Sequence, residues 1–270
     1  MKYIDIEKVI HDSGSPFLKR LPRYVVRLII WLIRQDEMNR ILNKYSDRIG
    51  IPFLKCILDE FNINVDLVGL ENLPDNPRSV FVSNHPFGIA DGLVLTSIVA
   101  AKYGSFKAFG NDAFMLIPNL RPLIAEINVF GRNSKQQIVL IDEIYSSDTP
   151  ITHFPAGEVS RVYHRKIQDC AWQKSFITKA VAKKRWVVPV YFEGRNSWLF
   201  YAVFIVRRLL GIKLNLELLL LPREMFRKRN KTIRVRIGTP IPYETFDESK
   251  SHTEWAQEVK SRVYALSGRH

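Results

Sequence analysis

Hydrophobic and polar positions change period near Asn64. Before it, apolar residues recur at intervals of three and four, which predicts helices over Ile4–His11, Pro22–Ile33, Glu37–Tyr45 and Pro52–Phe61. After it come short apolar runs, at Val65–Val68, Ser79–Ser83, Ser105–Phe109, Leu123–Val129, Ile151–Phe154, Val187–Phe192 and Thr232–Ile237, that read as strands. Helical stretches lie between them. Asp91 opens one as N-cap over Gly92–Ala101, Ser134 opens another, and His252–Leu266 forms the last, with Trp255, Val259 and Val263 as its stripe. The alternation predicts an α/β fold, a mixed and mostly parallel sheet flanked by helices, with a helical N-terminal portion. Residues 1–64 are expected to form a helical cap packed on an α/β core of residues 65–270. There is no internal repeat, low-complexity tract or linker.

Four of the strand ends carry candidate chemistry. Ser83-Asn84-His85-Pro86-Phe87-Gly88-Ile89-Ala90-Asp91-Gly92 places a histidine and a carboxylate just past a buried strand. A neutral imidazole takes a proton near pH 7, and a nearby carboxylate orients it and stabilises the imidazolium that forms. No Gly-x-Ser-x-Gly nucleophile elbow occurs, and Ser83 sits on the outgoing strand, so the base is expected to activate a substrate hydroxyl directly. The competing interpretation is purely structural, with His85 in a turn and Asp91 capping a helix. Phe154-Pro155-Ala156-Gly157-Glu158-Val159-Ser160-Arg161 sets a carboxylate, a hydroxyl and a guanidinium on one turn, which suits an anionic, hydroxyl-bearing ligand. Ile127-Asn128-Val129-Phe130-Gly131-Arg132-Asn133-Ser134 delivers an arginine whose fork matches a phosphate or carboxylate. Trp186-Val187-Val188-Pro189-Val190-Tyr191-Phe192 closes with Glu193-Gly194-Arg195-Asn196, and Pro189 implies an interrupted ladder near the site. Surface salt bridges are the competing role for Arg132, Arg161 and Arg195.

In this order and spacing the four segments resemble the motifs of the glycerolipid acyltransferases related to bacterial 1-acylglycerol-3-phosphate acyltransferase. The wording Asn-His-Pro-Phe-Gly and Phe-Pro-Ala-Gly-Glu is similar to the hemolysin-labelled branch, which includes O-acyltransferases that finish ornithine and glycine lipids. The resemblance spans about residues 65–245. It implies His85 as general base with Asp91 as its partner, Arg132 on the acceptor's anionic head, and Gly157 and Glu158 holding the acceptor, with Pro189 as the proline of the fourth motif. The implied reaction moves a fatty acyl group from an acyl thioester, carried by acyl carrier protein or coenzyme A, to the hydroxyl of a lysolipid without a covalent acyl-enzyme. The acceptor is a lyso-amino-acid lipid or lysophosphatidic acid. Arg161 or Arg195 contributes to acceptor binding, and the turns at Gly88 or Gly157 supply oxyanion donors. The thioester stores the driving energy, so no metal or redox cofactor is expected.

Two departures from the family pattern matter. Five residues separate His85 from Asp91 where four are usual, so the pair must be closed by the loop conformation at Gly88. Ala156 follows Phe-Pro where the family has glutamate, and Glu158 lies two positions later, which favours the amino-acid lipid as acceptor.

Composition adds limits. At 270 residues and 46% hydrophobic the chain can bury one large core. Cys56 and Cys170 form no metal or redox spacing and imply a reducing compartment; His153, His164 and Cys170 lack metal-ligand spacing. The N-terminus lacks a secretion-signal plan, and no run is long enough to span a bilayer: Tyr24–Ile33 is half a span, and Trp198–Leu221 contains Arg207, Arg208, Lys213 and Glu217.

The net charge of +13 is local, since Arg161–Arg236 holds 19 Lys and Arg against 4 Asp and Glu. Its basic clusters flank the apolar stretch from Trp198 to Val206, and together they read as a monotopic membrane face. Trp198, Phe200 and Phe204 would dip into anionic lipid beside Arg207 and Arg208, at the cytoplasmic face of the inner membrane. A core helix with a basic rim is the competing interpretation. Nucleic acid is not the expected partner, because the aromatics are packed with Val, Ile and Leu rather than spaced as stacking platforms. Two other functions share these features: a lipid-binding, membrane-perturbing protein without catalysis, and a lysolipid or thioester hydrolase.

Overall fold

A computed structural model describes residues 2–110, 117–126 and 134–268. The C-terminal part of the predicted strand Leu123–Val129 and the motif residue Arg132 lie outside the described residues.

The N-terminal segment folds as α1 (Ile6–Asp12), α2 (Pro16–Lys19), α3 (Arg23–Leu32), α4 (Gln35–Lys44) and α5 (Ile51–Phe61). Polar side chains on α4 tie the chain start down: Asn39 Oδ1 accepts from the backbone N–H groups of Tyr3 and Ile4, and Gln35 Oε1 accepts from that of Ile6. Glu60 of α5 links back to α4 through Arg40, Lys44 and Tyr45. Lys44's hydrogen bond leads the effects that lower its carboxyl to about 2, against an opposing cost of burial. The inner faces of α4 and α5 carry Ile41, Leu42, Phe53, Leu54, Ile57 and Phe61, and these belong to the same buried cluster as sheet residues Phe81, Val188 and Val190. The helical segment therefore shares its core with the sheet.

That sheet contains β1 (Asn64–Val68), β2 (Ser79–Ser83), β3 (Lys107–Gly110), β4 (Ile124–Glu126), β5 (Ile151–His153), β8 (Trp186–Glu193) and β9 (Thr232–Ile237). Its order is β1-β9-β8-β2-β5-β3-β4, and every neighbouring pair is parallel except β8–β9. This is the mixed, mostly parallel α/β architecture expected from the alternation. A separate hairpin, β6 (Arg161–Tyr163) with β7 (Lys166–Gln168), was not expected. Its strands have three residues each, and its turn at His164 and Arg165 takes positive φ without a glycine to mark it.

The remaining helices are α6 (Ile89–Tyr103), α7 (Lys135–Ser146), α8 (Ser175–Ala182), α9 (Trp198–Leu209), α10 (Leu221–Phe226) and α11 (His252–Ala265). α5 and α6 cover one face of the sheet, while α8 and α11 cover the other through Phe176, Ile177, Trp255 and Val259. Covered on both sides, β2 is buried along its whole length, which is why its sequence is nearly continuous apolar rather than alternating. α6 starts at Ile89, earlier than predicted, with Gly88 as N-cap and Asp91 in its first turn.

Two sheet details bear on the site. β3 and β5 pair only through Lys107–Ile151 and Ala108–Thr152, and no pairing is recorded beyond that point toward their carboxyl ends. Open parallel sheets bind ligands outside the carboxyl ends of their strands. On β8, Pro189 breaks the antiparallel ladder as expected: β9 pairing begins at Val190–Ile237, an isolated bridge returns at Val187–Ile241, and Gly238 N–H donates to the Pro189 carbonyl.

Candidate active site

β2 delivers the segment that carries His85, and Asn84 fixes where the strand ends. Its side chain donates to the Phe192 carbonyl at 2.9 Å and accepts from Phe192 N–H at 2.8 Å, extending the β2–β8 contact by one amide. His85 follows directly and is held at both ends of its backbone. Ser160 N–H donates to its carbonyl at 2.8 Å, and its own N–H donates to Asp169 Oδ1 at 3.3 Å. Asp169 is buried and also accepts from Ser160 Oγ and Trp172 Nε1. Burial pushes its carboxyl up against the pull of those donors. The His85 ring stacks on Phe154 with centroids 4.0 Å apart.

Asp91 is fully buried in the first turn of α6. Its Oδ2 accepts from Phe87 N–H at 2.9 Å and Gly88 N–H at 3.3 Å, and lies 3.1 Å from His85 Nδ1. That contact is within ion-pair reach but off the alignment of a made hydrogen bond; catalytic pairs often tighten only with substrate in place. The five-residue spacing is closed at Gly88, which has φ 87°, and a Cβ there would lie 2.8 Å from Leu221 Cδ2 and 3.0 Å from Val159 Cγ2. Asp91 therefore both closes the start of the helix and faces the imidazole. With Nδ1 turned to Asp91, Nε2 is the ring nitrogen left for a substrate.

His85, Gly88 and Gly157 line one side of a cavity of ≈ 130 Å³ whose walls include Leu93, Phe106 and Leu120. No Asp, Glu, Lys or Arg is among its described lining residues. The two glycine amides proposed as oxyanion donors are already engaged, Gly88 N–H with Asp91 and Gly157 N–H with the Phe154 carbonyl at 2.9 Å.

The other predicted residues divide sharply. Glu158 is partly exposed near the cavity edge and is held by Tyr163 Oη and by Arg161 Nη1 at 2.8 Å. Arg161 is fully buried, pairing through Nε with Glu217 at 2.8 Å and donating to the Val159 carbonyl. It is an internal counter-ion and does not reach the cavity, contrary to the acceptor-binding role expected for it. Pro189 stays within the sheet and is not a lining residue. Arg195 is exposed, with its guanidinium 4.6 Å above the Trp198 ring.

The expected membrane face is also redrawn. Phe200 and Phe204 are buried, Phe200 with Val159 and Leu220 and Phe204 against Tyr163 and Arg161, and Arg207 is tied to Glu217. Trp198 and Arg208 are exposed, together with Ile205, Val206, Leu209 at 80% and Leu210 at 69%. α3 exposes Tyr24, Leu28 and Trp31, and packs on the same short helix, Leu216–Leu220, as α9. No helix among the described residues is long and apolar enough to cross a membrane.

Asn84 and Phe154 stand inside the quoted motifs without a role of their own there, and Ser160 figures there only as the hydroxyl of its turn. Asp169 lies outside the motifs with no spacing signal and is joined to His85 only by the fold.

A mostly parallel sheet that sets a histidine–aspartate pair at a strand end, against a cavity with no charged residue among its described lining, is an arrangement that suits acyl transfer. The Acyltransferase family model matches residues 8–269. The chain belongs to this acyltransferase family and is an O-acyltransferase. Two proteins named lyso-glycine lipid O-acyltransferase, from Phocaeicola vulgatus and Bacteroides thetaiotaomicron, are each 40% identical to it over 264 residues. The alignments cover 97% of this chain, and 95% and 97% of theirs. The crystal structure of the 1-acyl-sn-glycerophosphate (LPA) acyltransferase PlsC from Thermotoga maritima aligns with a TM-score of 0.49 and 17% identity, covering 92% of this chain and 94% of that one.

Proposed function

We propose that this enzyme acylates the hydroxyl of a lyso-amino-acid lipid, an N-(3-hydroxyacyl) amino acid of the lyso-glycine lipid kind, using an acyl thioester of acyl carrier protein or coenzyme A. The carrying observation is the His85–Asp91 pair at 3.1 Å on a cavity with no charged residue among its described lining. The names and near-complete coverage of the two relatives support the acceptor class.

His85 Nε2 takes the proton of the acceptor hydroxyl as that oxygen attacks the thioester carbonyl. The new C–O bond forms, the C–S bond breaks on collapse of the tetrahedral intermediate, and the imidazolium returns its proton to the departing thiolate. Asp91 orients the ring and stabilises the imidazolium; general-base action of this kind contributes about 10²–10⁴-fold. No acyl-enzyme forms, and no metal or redox cofactor enters. Arg132 is assigned to the acceptor's carboxylate on its motif position, with Glu158 and Gly157 beside it.

The enzyme works as a peripheral protein at the anionic cytoplasmic surface of the inner membrane. The exposed apolar residues of α3 and α9 support this placement, with Arg208 and Lys213 at head-group level.

The deciding experiment is product mass spectrometry with acyl thioester and two competing acceptors, N-(3-hydroxyacyl)glycine and lysophosphatidate. A His85-dependent acyloxyacyl glycine is expected. Acylated lysophosphatidate alone would reassign the acceptor, and free fatty acid alone would make the enzyme a hydrolase.

A further inference from the structure

Ser160 and Asp169 stand at the two feet of the hairpin, directly before β6 and directly after β7, and both close on the backbone of His85. Ser160 N–H donates to the His85 carbonyl at 2.8 Å, His85 N–H donates to Asp169 Oδ1 at 3.3 Å, and Ser160 Oγ donates to the same oxygen at 2.5 Å. The three bonds clamp the peptide groups on either side of His85. Asp169 is in turn anchored from α11: its N–H donates to Tyr264 Oη at 2.8 Å, and Lys260 Nζ donates to its backbone carbonyl at 2.8 Å.

A carboxylate is a costly choice for this position. Asp169 is 1% exposed, burial pushes its carboxyl up, and Lys260 binds its backbone carbonyl rather than the carboxylate. What the carboxylate offers is two oxygens that both accept. Oδ1 takes His85 N–H and Ser160 Oγ, while Oδ2 takes Trp172 Nε1 at 2.9 Å, and an indole N–H can only donate. Asparagine would turn its NH2 toward one of these donors. Asp169 is not among the residues lining the cavity, and of its three donors the one that belongs to the site is the His85 amide. The imidazole itself has a stacking contact with Phe154 and an approach to Asp91 that is off hydrogen-bond alignment. Neither of these fixes the backbone from which the ring projects.

We propose that Asp169 is a positioning residue: through the His85 amide it sets where Nε2 stands against the cavity, and it governs turnover rather than substrate binding. This rests on His85 being the base, as proposed above. A misplacement of about 1 Å at a reacting group can cost about 10²-fold.

The test measures kcat and KM with acyl thioesters of acyl carrier protein and of coenzyme A, and with N-(3-hydroxyacyl)glycine and lysophosphatidate as acceptors. The variants are Asp169→Leu, Trp172→Phe and Asp169→Asn/Trp172→Phe, with folding checked by circular dichroism and melting. Asp169→Leu should lower kcat by about 10- to 100-fold with KM unchanged. Trp172→Phe loses only the bond to Oδ2, so it should melt earlier and keep its kcat. In Asp169→Asn/Trp172→Phe the opposing indole N–H is gone and the amide oxygen can serve His85, so kcat should match that of Trp172→Phe. A folded Asp169→Leu with wild-type kcat, a loss that appears in KM instead, or an equal loss in Trp172→Phe would overturn the positioning role. If Asp169→Leu does not fold, Asp169→Asn takes its place: with Trp172 still opposing its NH2 it should be slower than Asp169→Asn/Trp172→Phe, and equal rates would overturn the role. His85→Ala, assayed alongside, separates the two readings. If it turns over like the wild type, the base assignment falls and the positioning role with it; if it is inactive while Asp169→Leu is fully active, the positioning role alone falls.

Discussion

Asp91 and Glu217 are both fully buried carboxylates, and each faces a nitrogen base from another element, yet they do opposite things. Glu217 meets two permanent cations: Arg161 through Nε, and Arg207 through Nε and Nη2. Burial pushes its carboxyl up, and the bonds from Arg207 and Arg161 outweigh that, holding it below its ordinary value. Arg207 has its remaining donors on Asn215 and the Ile212 carbonyl. Asp91 meets backbone N–H groups and one imidazole, which can change its charge and has a nitrogen to spare. A charge network whose ions are paired with one another inside the protein holds elements together. One left open at a titratable group can do chemistry.

The largest effect should come from breaking the open network. His85→Ala is expected to lower kcat by about 10³-fold while the melting temperature stays within a few degrees, read by product assay and calorimetry. Asp91→Asn should follow at about 10²-fold. Unimpaired turnover in His85→Ala would remove the distinction.

Breaking the closed network should give the reverse pattern. Glu217→Gln takes from buried Arg161 its fully buried counter-ion and leaves it Glu158 alone, at about 3 kcal/mol, so Tm should fall by roughly 6–12 °C. Turnover by the folded enzyme at low temperature should be unchanged. A raised acceptor KM at normal Tm would instead return Arg161 to the ligand role its motif position implies.

His153 offers an intermediate case, a buried base with no counter-charge among the described residues. Its folded pKa is lowered to about 4 by burial, so between pH 6.5 and 4 the unfolded chain binds a proton that the folded chain does not. Stability is therefore full above pH 6.5 and declines as pH falls through that window, by up to about 3 kcal/mol. Melting curves across pH 4–7 should show this decline in the wild type and a shallower one in His153→Phe. Equal slopes would mean that the ring is not buried neutral.

The smallest effect concerns the surface above the closed network. Replacing Leu209 and Leu210 with serine should weaken binding to anionic vesicles by about tenfold, a partial loss of two side chains' burial. Phe204→Leu, on the buried side of the same helix, should leave vesicle binding unchanged. Undiminished binding of the serine variant would place the membrane contact elsewhere.

Most of the architecture was legible in the sequence because strand runs and helical stripes differ in period: β2 and β9 have the predicted bounds, and α3, α4, α5 and α11 lie within a residue or two of theirs. The approach of Asp91 to His85 was legible because the two residues are close in sequence. What failed had physical causes. Between Trp198 and Val206 nearly every residue is apolar, so the periodicity does not say which side of α9 faces inward, and Phe200 and Phe204 were placed outward. Arg161 reads as exposed because lone arginines usually are. Its partner Glu217 stands far along the chain and is brought to it by α9 and the short helix that follows. Asp169 and Ser160 reach His85 only through the packing of the hairpin segment against the end of β2.

The position of β9 between β1 and β8 has a consequence for synthesis. β1 emerges early from the ribosome, yet among the described strands it pairs only with β9, which is made near the end of the chain. The sheet cannot be completed until then, and a contact of such long sequence separation slows folding. The nascent chain thus carries an unpaired strand edge through most of its translation, the kind of intermediate for which aggregation is the competing outcome.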